Sequence, residues 1–105
     1  MCRSKDFWVF RDAYPVTEGH LLFVPTQEQG NNLWECYKAA YKFGYDGVET
    51  ALWDGFNIGQ NVGESAGQTV MYPHVHMIPR RTGDMPDPRG GVRHVIPEKG
   101  NYRKW

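Results

Sequence analysis

Hydrophobic and polar positions along the chain follow two different periods. Phe7-Trp8-Val9-Phe10 is a short aromatic and β-branched run, the composition of a strand, and it ends before Pro15, which pushes Tyr14 out of the helical region. Thr17-Glu18-Gly19 reads as a turn, and His20-Leu21-Leu22-Phe23-Val24 as a second strand stopped by Pro25. So short a connection favours antiparallel neighbours. From Asn32 the period lengthens: Leu33, Trp34, Tyr37, Ala40 and Tyr41 fall on one face of a helix, expected over 32–43. Asn32 with Glu35 has the form of a capping box, and Gly44 that of a left-handed stop. Segment 45–53 has no clear period; Val48 to Trp53 fits a short second helical turn.

Alternation returns over 55–61, a third strand, which leads into the small-residue loop 62–67. Segment 68–78 reads as a further strand, broken only by Pro73, where an edge position or a bulge is expected, and ended by Pro79. The remainder is rich in proline and glycine and predicts irregular backbone laid over the domain. The expectation is an α+β fold: one antiparallel sheet of about five strands, one main helix and an irregular tail. One domain is expected over 1–105, with its core at about 7–84 and a basic C-terminal tail at 85–105.

Composition changes this picture in one respect. Twelve basic and twelve acidic side chains in 105 residues cancel, which argues against a protein that binds duplex nucleic acid. The cancellation is uneven: residues 1–79 carry five Lys/Arg against nine Asp/Glu, and residues 80–105 carry seven against three. No apolar run approaches the ~18 residues of a membrane span. The start of the chain lacks the apolar stretch of a secretory signal, so a cytoplasmic protein with no membrane association is expected. Cys2 and Cys36 have neither close spacing nor a CxxC arrangement; two reduced thiols are expected, Cys36 as helix packing.

The histidines carry the candidate chemistry. On a strand, residues two apart share a face, so Tyr72, His74 and His76 are expected to form a polar row, with Met71, Val75 and Met77 on the other side. Paired imidazoles can bind a metal, share a proton, or act as a nucleophile beside an acid; a solvated pair on a strand is equally compatible with the spacing alone. Upstream, Gly63, Ala66 and Gly67 allow backbone N–H groups to approach an anion, and Asn61, Ser65, Gln68 and Thr69 add neutral donors. Neutral donors beside histidines suit a phosphate ester.

The run from Asn61 through Gly67-Gln68-Thr69-Val70 to Tyr72-Pro73-His74-Val75-His76 and Arg80 resembles the signature of the histidine triad (HIT) nucleotide hydrolases and transferases. The earlier block from Phe10 and Asp12 through Gly19-His20 and Leu22 to Pro25 resembles that family's first motif, and 87–93 resembles the C-terminal segment of some bacterial members. Tyr72 stands where the family has its first histidine. A phenol can donate or accept a hydrogen bond but does not become cationic near neutral pH.

The resemblance implies that His74 attacks the α-phosphorus of a nucleotide, forms a nucleotidyl-histidine intermediate, and passes the nucleotidyl group to water, releasing a nucleoside monophosphate. It implies His76 as phosphate ligand or proton donor to the leaving group, His20 as a partner behind Tyr72 or His76, and Tyr72 in an orienting role. Gln68, Thr69 and Asn61 would meet the phosphoryl oxygens. Asp12 would contact the ribose, and Phe10, Ala13 and Leu22 would line a base slot roomier than usual because Ala13 is small. The substrate implied is a purine ribonucleotide derivative, adenine first, with a phosphoanhydride or phosphoramidate bond, as in diadenosine polyphosphates. No cofactor or metal is implied, and a homodimer is, with the helix as a candidate interface. The strand and helix that many members carry ahead of the first motif are not expected, which leaves a sheet edge and one wall of the base slot open. Two other readings stay open: a nucleotide-binding module with little turnover, and a metal site using His74, His76 and His20. Arg80, Arg81, Arg89 and Arg93 are candidates to guide a polyphosphate, and His94 is expected to be a solvated loop residue.

Overall fold

The computed structural model describes residues 2–101, with side chains from Ser4 onward. The expectations for the thiol of Cys2 and for the last four residues of the basic tail fall outside those described residues. The elements in chain order are β1 (Cys2–Arg3), β2 (Phe7–Arg11), β3 (Leu21–Pro25), α1 (Asn32–Glu49), β4 (Gly55–Gly59), β5 (Val75–Arg80) and α2 (Pro97–Gly100). The strands form one antiparallel sheet in the order β1-β2-β3-β5-β4. Four strands of five or six residues make the sheet, and the two-residue β1 adds a short rung beside β2.

Helix α1 covers one face. Val9, Phe23, Cys36, Ala40, Val75 and Met77 form the buried core, each no more than 3% exposed. The buried stripe of α1 is Cys36, Ala40, Gly44 and Gly47, whereas Trp34 and Tyr41, expected on the inner face, are exposed. Small residues on the inner face let the helix axis approach the sheet, and the rings of Trp34 and Tyr41 are left outside while Tyr37 packs against the core. Burial and the carboxylates of Asp6 and Glu35 push the Cys36 thiol up to about 11, so this cysteine behaves as a small apolar side chain.

Gly44 does not stop the helix; α1 runs on to Glu49. A Cβ at Gly44 would occupy the space of the Phe56 ring, and one at Gly47 that of the Trp53 indole. Trp53 also donates its Nε1–H to the Gly44 carbonyl at 2.9 Å. The two glycines are therefore sockets for aromatic rings, worth their ~1 kcal/mol cost each in helix propensity. The chain leaves the helix at Ala51, in the left-handed region at φ +63°. This turn replaces the second helical segment expected at 48–53. The capping box is absent too: the Asn31 side chain makes no cap bond, and Asn32 ties the helix start to the Asp6 carbonyl and the Thr26 hydroxyl.

The histidine strand begins only at Val75, not at residue 68, and continues through Pro79 to Arg80. Proline is tolerated in this inner strand because β3 pairs β5 only over 75–77. The Pro79 carbonyl on that side accepts from the Thr17 hydroxyl at 2.6 Å instead. Within the described part of the C-terminal tail, a 3₁₀ turn over Gly91–Val95 is followed by α2.

Candidate functional site

The sheet face opposite α1 carries the chemistry. Phe10, Leu22, His76 and Gly59 are successive register partners across β2, β3, β5 and β4, so they stand in one row on that face. Leu22 and His76 are half-buried and Phe10 is 42% exposed. Leu22 also borders a cavity of about 170 Å³ with Val24, Val70, Tyr72 and His74. Ala13 lies exposed in the turn beyond β2.

Two backbone groups decide where the imidazole protons sit. His74 Nδ1 lies 2.8 Å from the Tyr72 carbonyl. A carbonyl only accepts, so Nδ1 holds the proton and Nε2 keeps its lone pair. Val16 donates its N–H to His20 Nδ1 at 3.1 Å, so in neutral His20 the proton is on Nε2. That nitrogen is 2.9 Å from His76 Nδ1, which must then accept, leaving His76 with a proton on Nε2. The site thus presents one bare ring nitrogen, on His74, and one N–H, on His76, with the two ring centroids 5.3 Å apart.

Asp12 joins this group. Its Oδ2 lies 3.5 Å from His20 Nε2, and its Oδ1 accepts from the Tyr14 N–H at 2.8 Å. His20 is 3% exposed, and burial lowers its pKa against the opposing pull of Asp12. His76 is lowered by burial first, then by the neighbouring His20 and His74. Both therefore favour the neutral form that the hydrogen-bond chain requires.

Asp12, His20 and His76 place ligand-type atoms within 4.8 Å of one another. A metal on this trio would need the lone pair of His20 Nε2. Its proton would then move to Nδ1, against the Val16 N–H. The donor set is arranged for a proton, and the trio fits a hydrogen-bonded cluster better than a metal centre. His74 is outside that trio, so the set of His74, His76 and His20 considered as a metal site is not assembled.

Residues 72–74 precede the strand, so Tyr72 and His74 are carried on a loop, where both border the cavity beside Leu22. The Tyr72 hydroxyl reaches across to the Pro25 carbonyl at 2.7 Å, while the Tyr72 carbonyl holds His74. His20 lies against His76, not Tyr72. Gln68 is occupied at both ends: its Oε1 accepts from Gly63 N–H, and its Nε2 donates to the Val70 and Met71 carbonyls. The N–H groups of Gly63, Ala66, Gly67 and Gln68 all close bonds within this same loop. The loop is thus a self-contained turn. Asn61 and Thr69 are exposed, and their side chains have no hydrogen-bond partner among the described residues. Asn61 also borders a cavity shared with His20 and His76.

The arginines at and beyond the end of the strand are engaged elsewhere. Arg80 pairs with Asp84 and Asn57, which holds the Asp84 carboxyl well below the usual carboxylate range. Arg81 reaches the Glu18 carbonyl and lies over Trp53, Arg89 pairs with Asp87, and Arg93 donates to the Lys99 carbonyl. His94 packs within the tail, its Nε2 bonded to the Arg89 carbonyl. The backbone groups of Val16 and Pro25 were not foreseen as parts of the site. Side-chain chemistry offers no signal for a role played by an N–H or a carbonyl.

Comparison with known proteins identifies the family and the fold. The model of the HIT domain family matches residues 1–83. An uncharacterized HIT-like protein of Saccharolobus solfataricus is 32% identical over 104 residues, covering 91% of this chain and 71% of that protein. A bis(5'-adenosyl)-triphosphatase of Dictyostelium discoideum is 33% identical over 85 residues, 67% of this chain and 52% of its own length. Among solved structures, a zinc-bound histidine triad family protein from Mycobacterium smegmatis superposes with a TM-score of 0.72. It is 27% identical, with coverage of 90% of this chain and 78% of that one. No helix among the described residues is long and apolar enough to cross a membrane.

Proposed function

The chain belongs to the HIT domain family, and from that premise we propose that it is a nucleotidyl hydrolase or transferase that works through His74. It cleaves a phosphoanhydride or phosphoramidate bond at the α-phosphate of a purine ribonucleotide and releases a nucleoside monophosphate. The observation that carries this reading is the bond from His74 Nδ1 to the Tyr72 carbonyl. It aims a lone pair outward from Nε2 and steadies the positive charge that develops on the ring when that nitrogen bonds to phosphorus. Water then attacks the phosphorus and returns the electron pair to the ring.

The other residues take supporting roles. The His76 N–H and the side chains of Asn61 and Thr69 meet the phosphoryl oxygens, and Gln68 acts by holding the loop that carries Thr69. His20 is a positioning residue that sets the His76 tautomer. Asp12 retains lone pairs for the ribose hydroxyls, and Phe10, Leu22 and Ala13 border the base. The substitution of Tyr72 for histidine leaves the hydrogen-bond chain intact, because the atom used on His74 is the Tyr72 backbone oxygen. Two copies join along the outer edge of β4, where Tyr41 and Tyr45 meet Phe56 edge-on and remain about half exposed.

The similarity to a bis(5'-adenosyl)-triphosphatase names the first substrate to try. With diadenosine triphosphate and adenosine phosphoramidate, the protein is expected to release AMP, and samples denatured at alkaline pH, where the N–P bond survives, to hold AMP covalently on the chain. His74→Ala should lower turnover on the order of 10³-fold or more and abolish the adduct. Hydrolysis unchanged by that substitution overturns the assignment, and AMP binding without turnover favours a binding module.

A further inference from the structure

The loop between β2 and β3 holds the Val16 N–H against His20 Nδ1, and the loop in turn needs an anchor. Val16 supplies none, since its side chain is 68% exposed. The next residue does. The Thr17 hydroxyl donates to the Pro79 carbonyl at 2.6 Å, and the Thr17 carbonyl accepts from the His20 N–H at 3.2 Å. Thr17 is therefore tied to β5 through its side chain and to His20 through its backbone, one residue past the N–H that sets the His20 proton.

A proline makes the acceptor available. Continued beyond the Leu21–Met77 pair, the register of β3 and β5 brings Gly19 opposite Pro79, and a Cβ at Gly19 would come within 3.1 Å of the Pro79 ring. Pro79 has no N–H, so the ladder cannot continue there, and its carbonyl is left for a side-chain donor. His76 stands on the same strand. The Thr17 bond thus joins the loop that fixes the His20 proton to the strand that carries His76, and the two rings meet at 2.9 Å. Neither neighbouring contact can replace it. Asp12 Oδ2, at 3.5 Å from His20 Nε2, lies at the outer limit of a hydrogen bond. The bond from Arg81 to the Glu18 carbonyl is exposed, whereas that of Thr17 is partly buried.

We infer that Thr17 is a positioning residue: its hydroxyl, acting through the Val16 N–H and His20, holds His76 in the tautomer that offers Nε2–H to a phosphoryl oxygen. The effect on rate rests on the nucleotidyl-transfer reading above, but the effect on the protons is a property of the free protein. Without the hydroxyl the loop can draw the Val16 N–H away from Nδ1. His20 then also takes the tautomer with its proton on Nδ1, and its bare Nε2 faces His76. His76 answers with a proton on Nδ1, so its Nε2 turns a lone pair toward the phosphate in place of a donor. Only the molecules that keep the first arrangement remain competent.

The test compares Thr17→Ala with two further variants. Thr17→Ser keeps the hydroxyl, and Thr50→Ala removes a hydroxyl-to-carbonyl bond of 2.8 Å at the C-terminal end of α1. Long-range proton–nitrogen correlation spectra of the ligand-free protein, at about pH 8 where imidazoles are neutral, report which ring nitrogens are protonated. Wild type should show His20 and His76 protonated on Nε2. In Thr17→Ala both rings should move toward a mixture of tautomers, and in Thr17→Ser and Thr50→Ala they should keep the wild-type pattern. With diadenosine triphosphate, kcat should fall about three- to tenfold in Thr17→Ala with KM within about twofold, and the other two variants should stay within about twofold of wild type. Unchanged His20 and His76 signals in Thr17→Ala, an equal change in Thr50→Ala, no rescue by serine, or a rise in KM with kcat intact overturns the inference. Hydrolysis that persists in His74→Ala brings down the nucleotidyl-transfer reading alone, since the spectra are taken without substrate and still decide whether Thr17 sets the tautomers.

Discussion

The two faces of the sheet are made from alternate residues of the same strands, yet they are organised on different terms. On the α1 side, Val75, Met77 and Phe23 are fully buried and their neighbours are other side chains. On the opposite side, His76 is only half-buried, and the ring orientations of His20 and His74 are set by single backbone atoms of Val16 and Tyr72. The first face holds the fold through area and fit, so its energy is spread over many contacts. The second spends a handful of directed bonds on placing two nitrogens. A substitution on the first face should therefore change stability, and one on the second should change turnover with little effect on stability.

The largest effect should come from emptying the closed face. Phe23 is fully buried, with the rings of Phe7 and Phe43 at centroid distances of 6.0 and 5.3 Å. Phe23→Ala should cost about 3–5 kcal/mol in denaturant unfolding. His74→Ala, on the same assay, should fall within about 0.5 kcal/mol of the wild type. A His74→Ala protein as unstable as Phe23→Ala would break the division between the faces.

Next comes overfilling. Gly47→Ala places a methyl group in the space of the Trp53 indole, whose Nε1–H holds the Gly44 carbonyl. Alanine is the better helix former by ~1 kcal/mol, but Trp53 must move, and the expected outcome is a net loss of about 1–3 kcal/mol. A gain in thermal midpoint would mean that these glycines are not sockets.

These glycines also mark what the sequence made legible and what it left hidden. The strands around Phe7 and Leu21 follow from residue type, the antiparallel pairing from the short connection, the helix start near Asn32 from period, and the family from two separated motifs. Gly44 misled because a glycine in a helical pattern has the same one-dimensional form whether it ends the helix or admits a ring. The ring came from Phe56, twelve residues on. Similarly, alternation placed Tyr72, His74 and His76 on one face, but Pro73 delays the strand until Val75 and sends the Tyr72 phenol to Pro25. The residue types of the site were legible, whereas its proton positions depend on two peptide groups that any sequence has.

A smaller effect should separate the strap from the chemistry. Tyr72→Phe removes the bond to the Pro25 carbonyl, worth about 1 kcal/mol, and loosens the segment whose carbonyl holds His74. We expect kcat to fall severalfold with KM nearly unchanged, and stability to drop by no more than about 1 kcal/mol. Tyr72→His should not restore the rate, since the lost contact is the phenol's reach across to β3. A drop in KM affinity with kcat intact would instead place the phenol against the nucleotide.

The smallest effect is a slope in pH, and its sign follows from the buried imidazoles. The His20 and His76 pKa values lie below the ordinary value of 6.5 in the folded chain. As pH falls through about 6.5 the unfolded chain takes up protons at these positions before the folded chain does, so stability declines below that pH. The decline ends once the folded imidazoles are protonated too. Protonating His20 at Nδ1 would also turn an acceptor of the Val16 N–H into a second donor facing it. The carboxylates of Asp84 and Asp87, paired with Arg80 and Arg89, are held below the ordinary carboxylate range, so their loss belongs to a separate, more acidic window. Unfolding measured between pH 7.5 and 5 should therefore show a downward slope toward acid that is shallower in His20→Asn. A slope of the opposite sign, or one untouched by that substitution, would mean that the histidine face carries its charge in the folded state.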